Sequence, residues 1–522
     1  MSKSITYHDA AREALLCGAT RLADAVACTL GPKGRTVVLH NPPAPPVVTN
    51  DGASIAREIR LEAPMEDLGA QILAEAAART HDLRGDGTTT ATVLAYGMLR
   101  EGLRNMAAGA NPLELNRGMQ LAAQVAAAAV AKIARPATER AVLEQVAVLA
   151  ADSAEIGRLA ADAMEQVGPE GVLTVEESDS RDTTLKLTMG MEFERGLLSE
   201  HFITDSQAMT CEFENPLLFL TDLEISTSRE LAPILEFAAG AHRPLLVVAE
   251  KLSEEALSTL ILNKLHGNLQ VAAVDPPAYA EGRRLHMEDL AIFTGGVYVT
   301  AQTGHYLHNF EPGWLGQAKS VRISRRSTTI VGGNGDMVAI EARMRELRAQ
   351  ISQTDYDFNR ERFRTRLASF ASGVAVLQIG GITKTEMQER KLRADDAVHA
   401  IRAARAEGVV PGGGTALIRA IPAVQAYADT LAGDQKTGAQ IVLRALEAPL
   451  RQIAANAGAD PGTIVAGVRS SGGSIGYEAL SGQLCDLTQA GILDPAGVTR
   501  TALLSAASAV GAILTTEAGL TE

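Results

Sequence analysis

The sequence predicts a multidomain protein whose two ends are mainly helical and whose middle is of the α/β class. Its 522 residues are too many for one hydrophobic core, which favours two or more domains. Hydrophobic residues make up 46% and charged residues 21%, as in a globular protein rather than a disordered one. Aromatic residues reach only 4% while alanine is abundant, so we expect long helices that pack closely through small side chains.

The net charge of −14 argues against nucleic acid as a partner, because phosphate contacts need clustered lysine and arginine. It leaves nucleotide binding open, since backbone amides and a metal ion can neutralise phosphates locally. The four cysteines lie far apart without a CxxC pair, so neither a zinc site nor a disulfide framework is indicated.

The hydropathy of the chain predicts no membrane partner. The first five residues lack the apolar run of a signal peptide, and no apolar run approaches the roughly 20 residues of a membrane span. We therefore expect a cytoplasmic protein.

The two ends of the chain share a helical character. Helices are predicted at residues 11–29, 66–80, 88–102 and 386–407, and two short strands at 36–39 and 47–49 flank a proline-rich tip. In the middle, β-rich runs at 172–175, 217–220, 245–248 and 271–274 alternate with helical ones, which indicates an α/β domain. Because the last part is alanine-rich and helical like the first, both ends are expected to form one domain into which the middle is inserted.

Three glycine-rich stretches could approach a ligand closely. They begin at Thr29, Gly85 and Gly408, and none is a Walker A loop. In the second, Asp86 and Gly87 precede three threonines that open a helix, where free amides and the helix dipole favour an anion. A carboxylate there suits Mg²⁺ bound to phosphate. From this stretch alone, a threonine N-cap after a glycine turn is an equal alternative.

Aspartates at two further places in the chain are candidate site residues. Asp51 lies in an Asn-Asp-Gly turn signal and is, on local evidence, a turn residue. Asp395 and Asp396 lie inside a predicted helix, where adjacent side chains point to different faces and only one can face a given site. Local evidence favours a solvated face for this pair.

These stretches occur together, in order, in GroEL-type (group I) chaperonins, which this chain resembles nearly end to end. The matching segments are TLGPKGR at 29–35, DG at 51–52, AREI at 56–59, GAQ at 69–71, GDGTTTATVLA at 85–95, AGANP at 108–112, GVAV at 373–376, GVVPGGG at 408–414 and GILDP at 491–495. The resemblance implies a mainly helical equatorial ATPase domain (1–132 and 407–522), a small intermediate hinge domain (133–189 and 374–406) and an α/β apical domain (190–373).

The resemblance also implies an ATP site with Mg²⁺ and K⁺. Asp396 would orient the attacking water with help from Asp51, and Asp86 would bind Mg²⁺. The remaining nucleotide contacts would be Thr29, Leu30, Gly31, Pro32, Asn50, Gly87, Thr88, Thr89, Thr90, Gly413, Glu478, Ala479, Leu480 and Asp494, with Thr29, Asn50 and Thr90 also at the K⁺ site. Such a set is chemically sufficient because phosphoryl transfer needs mainly positioning and charge neutralisation.

The apical domain of the family binds non-native proteins, and the resemblance implies a client groove in this chain. Its residues would be Leu197, Leu198, His201, Phe202, Leu235, Leu257, Ile261 and Leu262. The last three fall at i, i+4 and i+5, close enough for one apolar stripe on a helix, and ordinary core is the local alternative. Expected partners are further copies in a homo-oligomeric ring, two stacked sevenfold rings, and a GroES-type co-chaperonin.

The chain departs from the family pattern at a few of these positions. Asn50 stands where lysine is usual, and Glu478 stands where asparagine is usual beside the adenine. The predicted function is ATP-dependent folding of captured proteins inside the ring. A divergent paralogue with ATPase activity but reduced folding function, a small-molecule phosphotransferase and a structural paralogue are the alternatives.

Overall fold

The computed structural model describes residues 4–40, 47–167, 172–178, 180–206, 208–278, 280–354, 356–371 and 373–521. The chain divides into two compact units. Residues 1–161 and 393–522 form the first unit, and residues 162–392 form the second. The predicted proline-rich tip, at residues 41–46, lies outside the described residues.

The first unit is mainly helical. Its elements are β1 (Ser4–Tyr7), α1 (His8–Ala27), β2 (Val37–Leu39), β3 (Val47–Thr49), α2 (Gly52–Glu58), α3 (Pro64–Arg84), α4 (Thr88–Ala107), α5 (Pro112–Ile133), α6 (Arg140–Ala151) and the first part of α7 (Ala154–Val167). The second unit follows with β4 (Val172–Glu177), β5 (Thr184–Phe193), β6 (Cys211–Glu214), β7 (Leu217–Ile225), α8 (Ser228–Gly240), β8 (Leu245–Leu252), α9 (Glu254–Leu265), β9 (Val271–Val274), α10 (Ala280–Thr294), β10 (Tyr298–Val299), β11 (Gly316–Ile323), β12 (Thr328–Gly333), α11 (Met337–Gln353), α12 (Asp357–Ala371) and β13 (Gly373–Ile379).

The chain returns to the first unit along α13. The remaining elements are α13 (Lys384–Glu407), β14 (Val409–Pro411), α14 (Thr415–Ala428), α15 (Gly433–Ala445), α16 (Ala448–Asn456), α17 (Pro461–Ser470), β15 (Ile475–Glu478), β16 (Gln483–Asp486), β17 (Leu493–Pro495), α18 (Ala496–Leu514) and β18 (Ala518–Thr521). Four single-turn 3₁₀ helices complete the described structure, among them Glu200–Phe202 in the second unit.

Small residues let the helices of the first unit approach closely, as the composition predicts. α1 packs on α3, and a Cβ placed on Gly69 would lie only 2.1 Å from the carbonyl oxygen of Leu15. α18 packs against α3, α4 and α5, and most of its buried residues are small, with alanine the most frequent. A mostly buried helix of this kind contributes chiefly by removing apolar surface from water.

α18 corrects one expectation. It is 19 residues long and apolar enough to cross a membrane by length and composition alone, whereas the sequence was expected to contain no such run. Most of the helix is buried within the structure. Scattered small residues such as serine and threonine make its apolar character easy to overlook when the letters are read singly.

Among the described residues, four two-stranded ribbons flank the helices of the first unit. β1 pairs with β18, β2 with β3, β14 with β17 and β15 with β16, all antiparallel. The β14–β17 ribbon joins Val410 to Asp494 in register, and the Gly412 amide donates to the Ile492 carbonyl at 3.0 Å, which brings the glycine-rich turn after β14 beside the start of β17. This ribbon places two widely separated sequence motifs side by side.

In the described part of the second unit, the strands form a ten-stranded mixed sheet. Eight strands follow the order β4-β13-β5-β12-β11-β7-β8-β9, while β10 pairs with β7 and β6 with β11. β7, β8 and β9 are parallel and are connected by α8 and α9, which confirms the predicted α/β character of this region. Their continuous apolar runs are fully buried, as is typical of parallel strands covered on both faces.

Candidate functional site

The loop before α2 is built around Asp51. Both oxygens of its carboxylate accept backbone hydrogen bonds, Oδ1 from the Ala53 amide at 3.1 Å and Oδ2 from the Ser54 amide at 2.7 Å. Asp51 is therefore a helix N-cap with a fixed orientation rather than only a turn residue. The next residue, Gly52, lies against the start of α4, since a Cβ there would be 2.3 Å from Thr89 Oγ1.

The start of α4 is open to an anion. Its N-cap is Gly87, which has φ +85° and provides no side-chain cap. The first hydrogen bond of the helix runs from the Ala91 amide to the Gly87 carbonyl at 2.9 Å, so the preceding amides lack an intrahelical acceptor. The alternative of a threonine N-cap is therefore wrong. Thr88, Thr89 and Thr90 instead form the first turn, with their amides where the helix dipole favours negative charge.

The turn after α1 meets this helix start. The Thr29 hydroxyl donates to the Val26 carbonyl at 2.8 Å and lies 3.4 Å from the Thr89 hydroxyl. Gly31 follows with φ +86°, a conformation that glycine adopts without strain. Leu30 is half-buried and Pro32 is exposed. The predicted phosphate-side residues of both glycine-rich motifs are thus brought together.

Asp86 lies between two glycines that both have positive φ, Gly85 at +73° and Gly87 at +85°. Its Oδ1 accepts a hydrogen bond from the Gly87 amide. Burial raises the pKa of Asp86, and the negative charge of Asp51 acts in the same direction, while the Gly87 hydrogen bond and His81 lower it. A buried carboxylate with a raised pKa is one that a bound cation would stabilise.

Asp396 lies on α13 in the first unit. Burial raises its pKa well above the ordinary value, and the charges of Asp51, Asp86 and Asp395 raise it further, while Arg393 lowers it. The solvated face expected from local sequence is therefore wrong for this pair, since Asp395 is also buried. The fold brings Asp51 close enough for its charge to act on both Asp86 and Asp396, and it brings Asp86 close enough to act on Asp396.

Asp494, on β17, completes what we call the acid cluster: Asp51, Asp86, Asp396 and Asp494. Burial raises the pKa of Asp494 to about 7, the charge of Asp86 adds to this, and a hydrogen bond from the Gly413 amide opposes it. A Cβ on Gly412 would lie 2.9 Å from Asp494 Oδ1, so a larger residue would crowd the carboxylate. The glycine turn after β14 is thus shaped around this side chain.

The predicted adenine-side segment adjoins the same turn. A Cβ on Gly413 would lie 3.7 Å from the Tyr477 carbonyl, next to Glu478 at the end of β15. The Glu478 carboxylate accepts a hydrogen bond from the Ser481 hydroxyl. Ala479 is buried and Leu480 is exposed. Asn50 is also exposed, one residue before the Asp51 cap.

The residues present fit Mg²⁺ with a nucleotide rather than a metal held by protein alone. Among the described residues, no group of three or more His, Cys, Asp or Glu side chains could hold a metal ion. Mg²⁺ usually needs only one or two carboxylates, because substrate phosphates and water supply the other oxygens. Asp86 beside the free amides of α4 meets this requirement, and buried carboxylates with raised pKa values favour a cation nearby.

Comparison with known proteins agrees with this geometry. The profile of the TCP-1/cpn60 chaperonin family matches residues 22–520. The chain belongs to the TCP-1/cpn60 chaperonin family. This membership supports a chaperone role for the protein.

A solved chaperonin has the same fold. It is the chaperonin gp146 from the bacteriophage EL 2 (Pseudomonas aeruginosa), determined in the presence of ATP-BeFx. The two chains are 18% identical, the TM-score is 0.68, and the alignment covers 99% of each. At this identity the similarity establishes the chaperonin fold, in agreement with the fold class expected from sequence.

The residues predicted to bind clients lie in the second unit of the chaperonin. α9 packs against α8 and against the 3₁₀ helix Glu200–Phe202, and the Lys264 ammonium donates to the carbonyls of His201 at 2.8 Å and Ile203 at 2.6 Å. The predicted groove residues therefore come from elements that touch. Leu197, Leu198, Leu257 and Ile261 are half-buried, and His201 is exposed.

The groove residues differ in how much surface they offer. Leu262 is 52% exposed, whereas Leu235 is 7% exposed and Phe202 is fully buried. The last two side chains belong to the core of the unit and support the surface from beneath. Sequence reasoning missed two exposed apolar neighbours on the same helices, Leu265 of α9 and Phe237 of α8. Leu265 could have been found from the sequence, because it lies three residues after Leu262 and so on the same face of the helix.

Sequence reasoning also missed an ion-pair cluster beside Asp86. The Glu407 carboxylate, at the end of α13, bridges the guanidinium groups of Arg84 and Arg500. Arg84 also donates through Nε to the Thr501 hydroxyl at 3.0 Å. These contacts join the ends of α3 and α13 to α18 and help hold the acid cluster in place.

Proposed function

We propose that this chaperonin binds and hydrolyses Mg²⁺-ATP at the acid cluster of its first unit. The observation that carries the proposal is the convergence of four carboxylates, three of them with a pKa raised by burial, on the open N-terminus of α4. Amides at a helix start bind phosphate, and carboxylates in the same place need a cation between them and the phosphate. Few other ligands satisfy both requirements.

Each residue of the cluster has a distinct part in this proposal. Mg²⁺ would be held by Asp86 and would neutralise phosphate charge. Asp396 orients the attacking water and accepts its proton, because a carboxylate whose pKa is raised by burial is a stronger base than an ordinary one. Asp51, whose carboxylate is oriented by two backbone amides, helps Asp396 to hold that water in place. Asp494, whose carboxylate accepts a hydrogen bond from the Gly413 amide, contacts the ribose.

The other predicted contacts support the nucleotide around this centre. Thr29 to Pro32 and the first turn of α4 line the phosphates, and Gly413 with residues 478–480 lies on the nucleoside side. Thr29, Asn50 and Thr90 would hold K⁺. We further propose the three domains expected from sequence, with the equatorial domain at 1–132 and 407–522, the hinge domain at 133–189 and 374–406, and the apical domain at 190–373.

We propose that ATP turnover drives the folding of captured proteins in a ring of identical subunits closed by a GroES-type lid. Two ribbons support self-association: β1–β18 and β2–β3 are two-stranded in the described structure and expose apolar side chains, among them Ile5, Val38, Val48 and Leu520. Exposed strand edges are templates for pairing with another chain. Clients would bind the exposed apolar side chains of α8 and α9.

One assay of the purified protein tests this function. We expect Mg²⁺-dependent ATP hydrolysis together with suppressed aggregation of a denatured client. Hydrolysis without protection of the client would favour the divergent paralogue with reduced folding function. Absence of ATP hydrolysis would refute the proposal.

A further inference from the structure

Two histidine rings meet beside the acid cluster in the first unit. His81 lies in the last turn of α3 and His399 on α13, with ring centroids 6.4 Å apart and planes inclined at 61°. His399 also covers the turn after α3, because a Cβ on Gly85 would lie 2.1 Å from its Cγ. The Gly85 amide in turn donates to the His81 carbonyl at 2.6 Å. The two rings and the turn therefore form one packed contact.

This contact connects two members of the acid cluster. Asp86 follows Gly85 directly, and Asp396 lies three residues before His399 on α13. Residues at i and i+3 lie on neighbouring positions of one helix surface. The His399 ring is therefore part of the packing between the segment of α13 that carries Asp396 and the turn that carries Asp86.

Burial and the carboxylate charges around His81 act on its pKa in opposite directions. Burial lowers the pKa of His81, and Arg57 of α2 acts in the same direction. Asp51 at the start of α2, Asp82 on α3 and Asp86 in the following turn oppose this effect.

We propose that His81 is a positioning residue for ATP hydrolysis, which fixes the separation of Asp86 and Asp396 through its ring contact with His399. The inference rests on the proposed ATPase function. Hydrolysis is sensitive to such positioning, since a displacement of about 1 Å in a catalytic group can cost on the order of 100-fold in rate. Nucleotide binding depends on more contacts and is less sensitive to this one separation.

The test compares substitutions of His81 in the full chain. For His81→Ala we expect kcat to fall about tenfold while KM for ATP changes less than about twofold. His81→Phe keeps an aromatic ring against His399 and is expected to restore kcat to within about threefold of wild type, whereas His81→Asn is not. His286→Ala is the matched control, because His286 is also half-buried with a lowered pKa but belongs to the second unit.

The outcomes separate this inference from the proposed function. If the wild-type protein does not hydrolyse ATP, both fail. If it does and His81→Ala retains wild-type kcat, or changes only KM, the positioning role is refuted. If His81→Phe is as slow as His81→Ala, the ring contact is not the cause. Should His81→Ala fail to fold, equal kcat values for His81→Phe and His81→Asn would also refute the inference, and a faster His81→Phe would support it.

Discussion

The carboxylate of Asp289 and the guanidinium of Arg366 form a buried two-point ion pair in the second unit. The Nε–Oδ2 distance is 2.7 Å and the Nη2–Oδ1 distance is 2.8 Å. Arg343 donates from Nε to the same carboxylate at 2.8 Å. Asp289 is fully buried and Arg366 is 3% exposed, so one carboxylate on α10 holds both α11 and α12.

Asp289→Asn is expected to lower the free energy of unfolding of the second unit by about 3–5 kcal/mol, because it leaves buried guanidinium charge uncompensated. Urea unfolding followed by Trp314 fluorescence measures this directly, since Trp314 is the single tryptophan of the chain and is buried in this unit. Arg284→Ala is the control on the same helix: its exposed pair with Glu288 should be worth less than about 1 kcal/mol. Similar losses of unfolding free energy in both variants would show that the buried pair stabilises the unit no more than the exposed one.

Asp494 is expected to make the nucleotide-free protein less stable as the pH rises. Burial raises the pKa of Asp494 to about 7, above the ordinary value of 3.8. At a pH between these two values, the folded state holds a proton on Asp494 that the unfolded state has released. The stability associated with this proton is lost as the pH rises towards 7, by at most about 3 kcal/mol between about pH 5 and about pH 8.

Asp494→Asn removes this titration and provides the measurement. Thermal unfolding followed by circular dichroism, without nucleotide, should show the Tm difference between variant and wild type becoming more favourable to the variant at higher pH. A difference that is constant with pH, or that moves the other way, would show that the Asp494 pKa is not raised in the folded protein.

Leu262→Ser is expected to weaken capture of unfolded protein at least several-fold, because Leu262 is the most exposed of the predicted client-binding leucines. Light scattering of a denatured client, diluted into the chaperonin, measures the protection. The matched control is Leu187→Ser, since Leu187 of β5 is 53% exposed in the same unit. Equal protection by Leu262→Ser and wild type would locate the client surface elsewhere.

The sequence predicted those parts of the fold whose signals are local. The apolar runs at 217–220, 245–248 and 271–274 are buried parallel strands, because such strands need continuous apolar residues on both faces. The helix of residues 386–407 begins only two residues earlier than expected. α3 extends beyond the expected residue 80 to Arg84, where Gly85 supplies the left-handed conformation that ends it.

Features that depend on distant contacts were not predictable from local sequence. Asp395 and Asp396 have the local pattern of a solvated face, yet the first is buried and the second carries a pKa raised by burial. The contact of His399 with Gly85 joins residues more than 300 positions apart. The acid cluster itself was expected only from the resemblance to chaperonins, since no spacing rule relates Asp51, Asp86, Asp396 and Asp494.

Asp86 and Asp396 are expected to fail in different ways when removed. Asp86→Ala should weaken Mg²⁺-dependent ATP binding at least about tenfold, because it removes the proposed metal ligand. Isothermal titration calorimetry with and without Mg²⁺ measures this change. Unchanged Mg²⁺-ATP affinity would remove Asp86 from the metal site.

Single-turnover hydrolysis of Mg²⁺-ATP by Asp396→Ala tests the proposed mechanism most directly. We expect bound ATP to be hydrolysed about 100-fold or more slowly than by wild type, with affinity changed less than about threefold, because a positioned proton acceptor contributes on that scale. Asp395→Asn, the neighbouring acid on a different helix face, should stay within a few-fold of wild type. Hydrolysis by Asp396→Ala at the wild-type rate would contradict the assignment of the acid cluster as the catalytic centre.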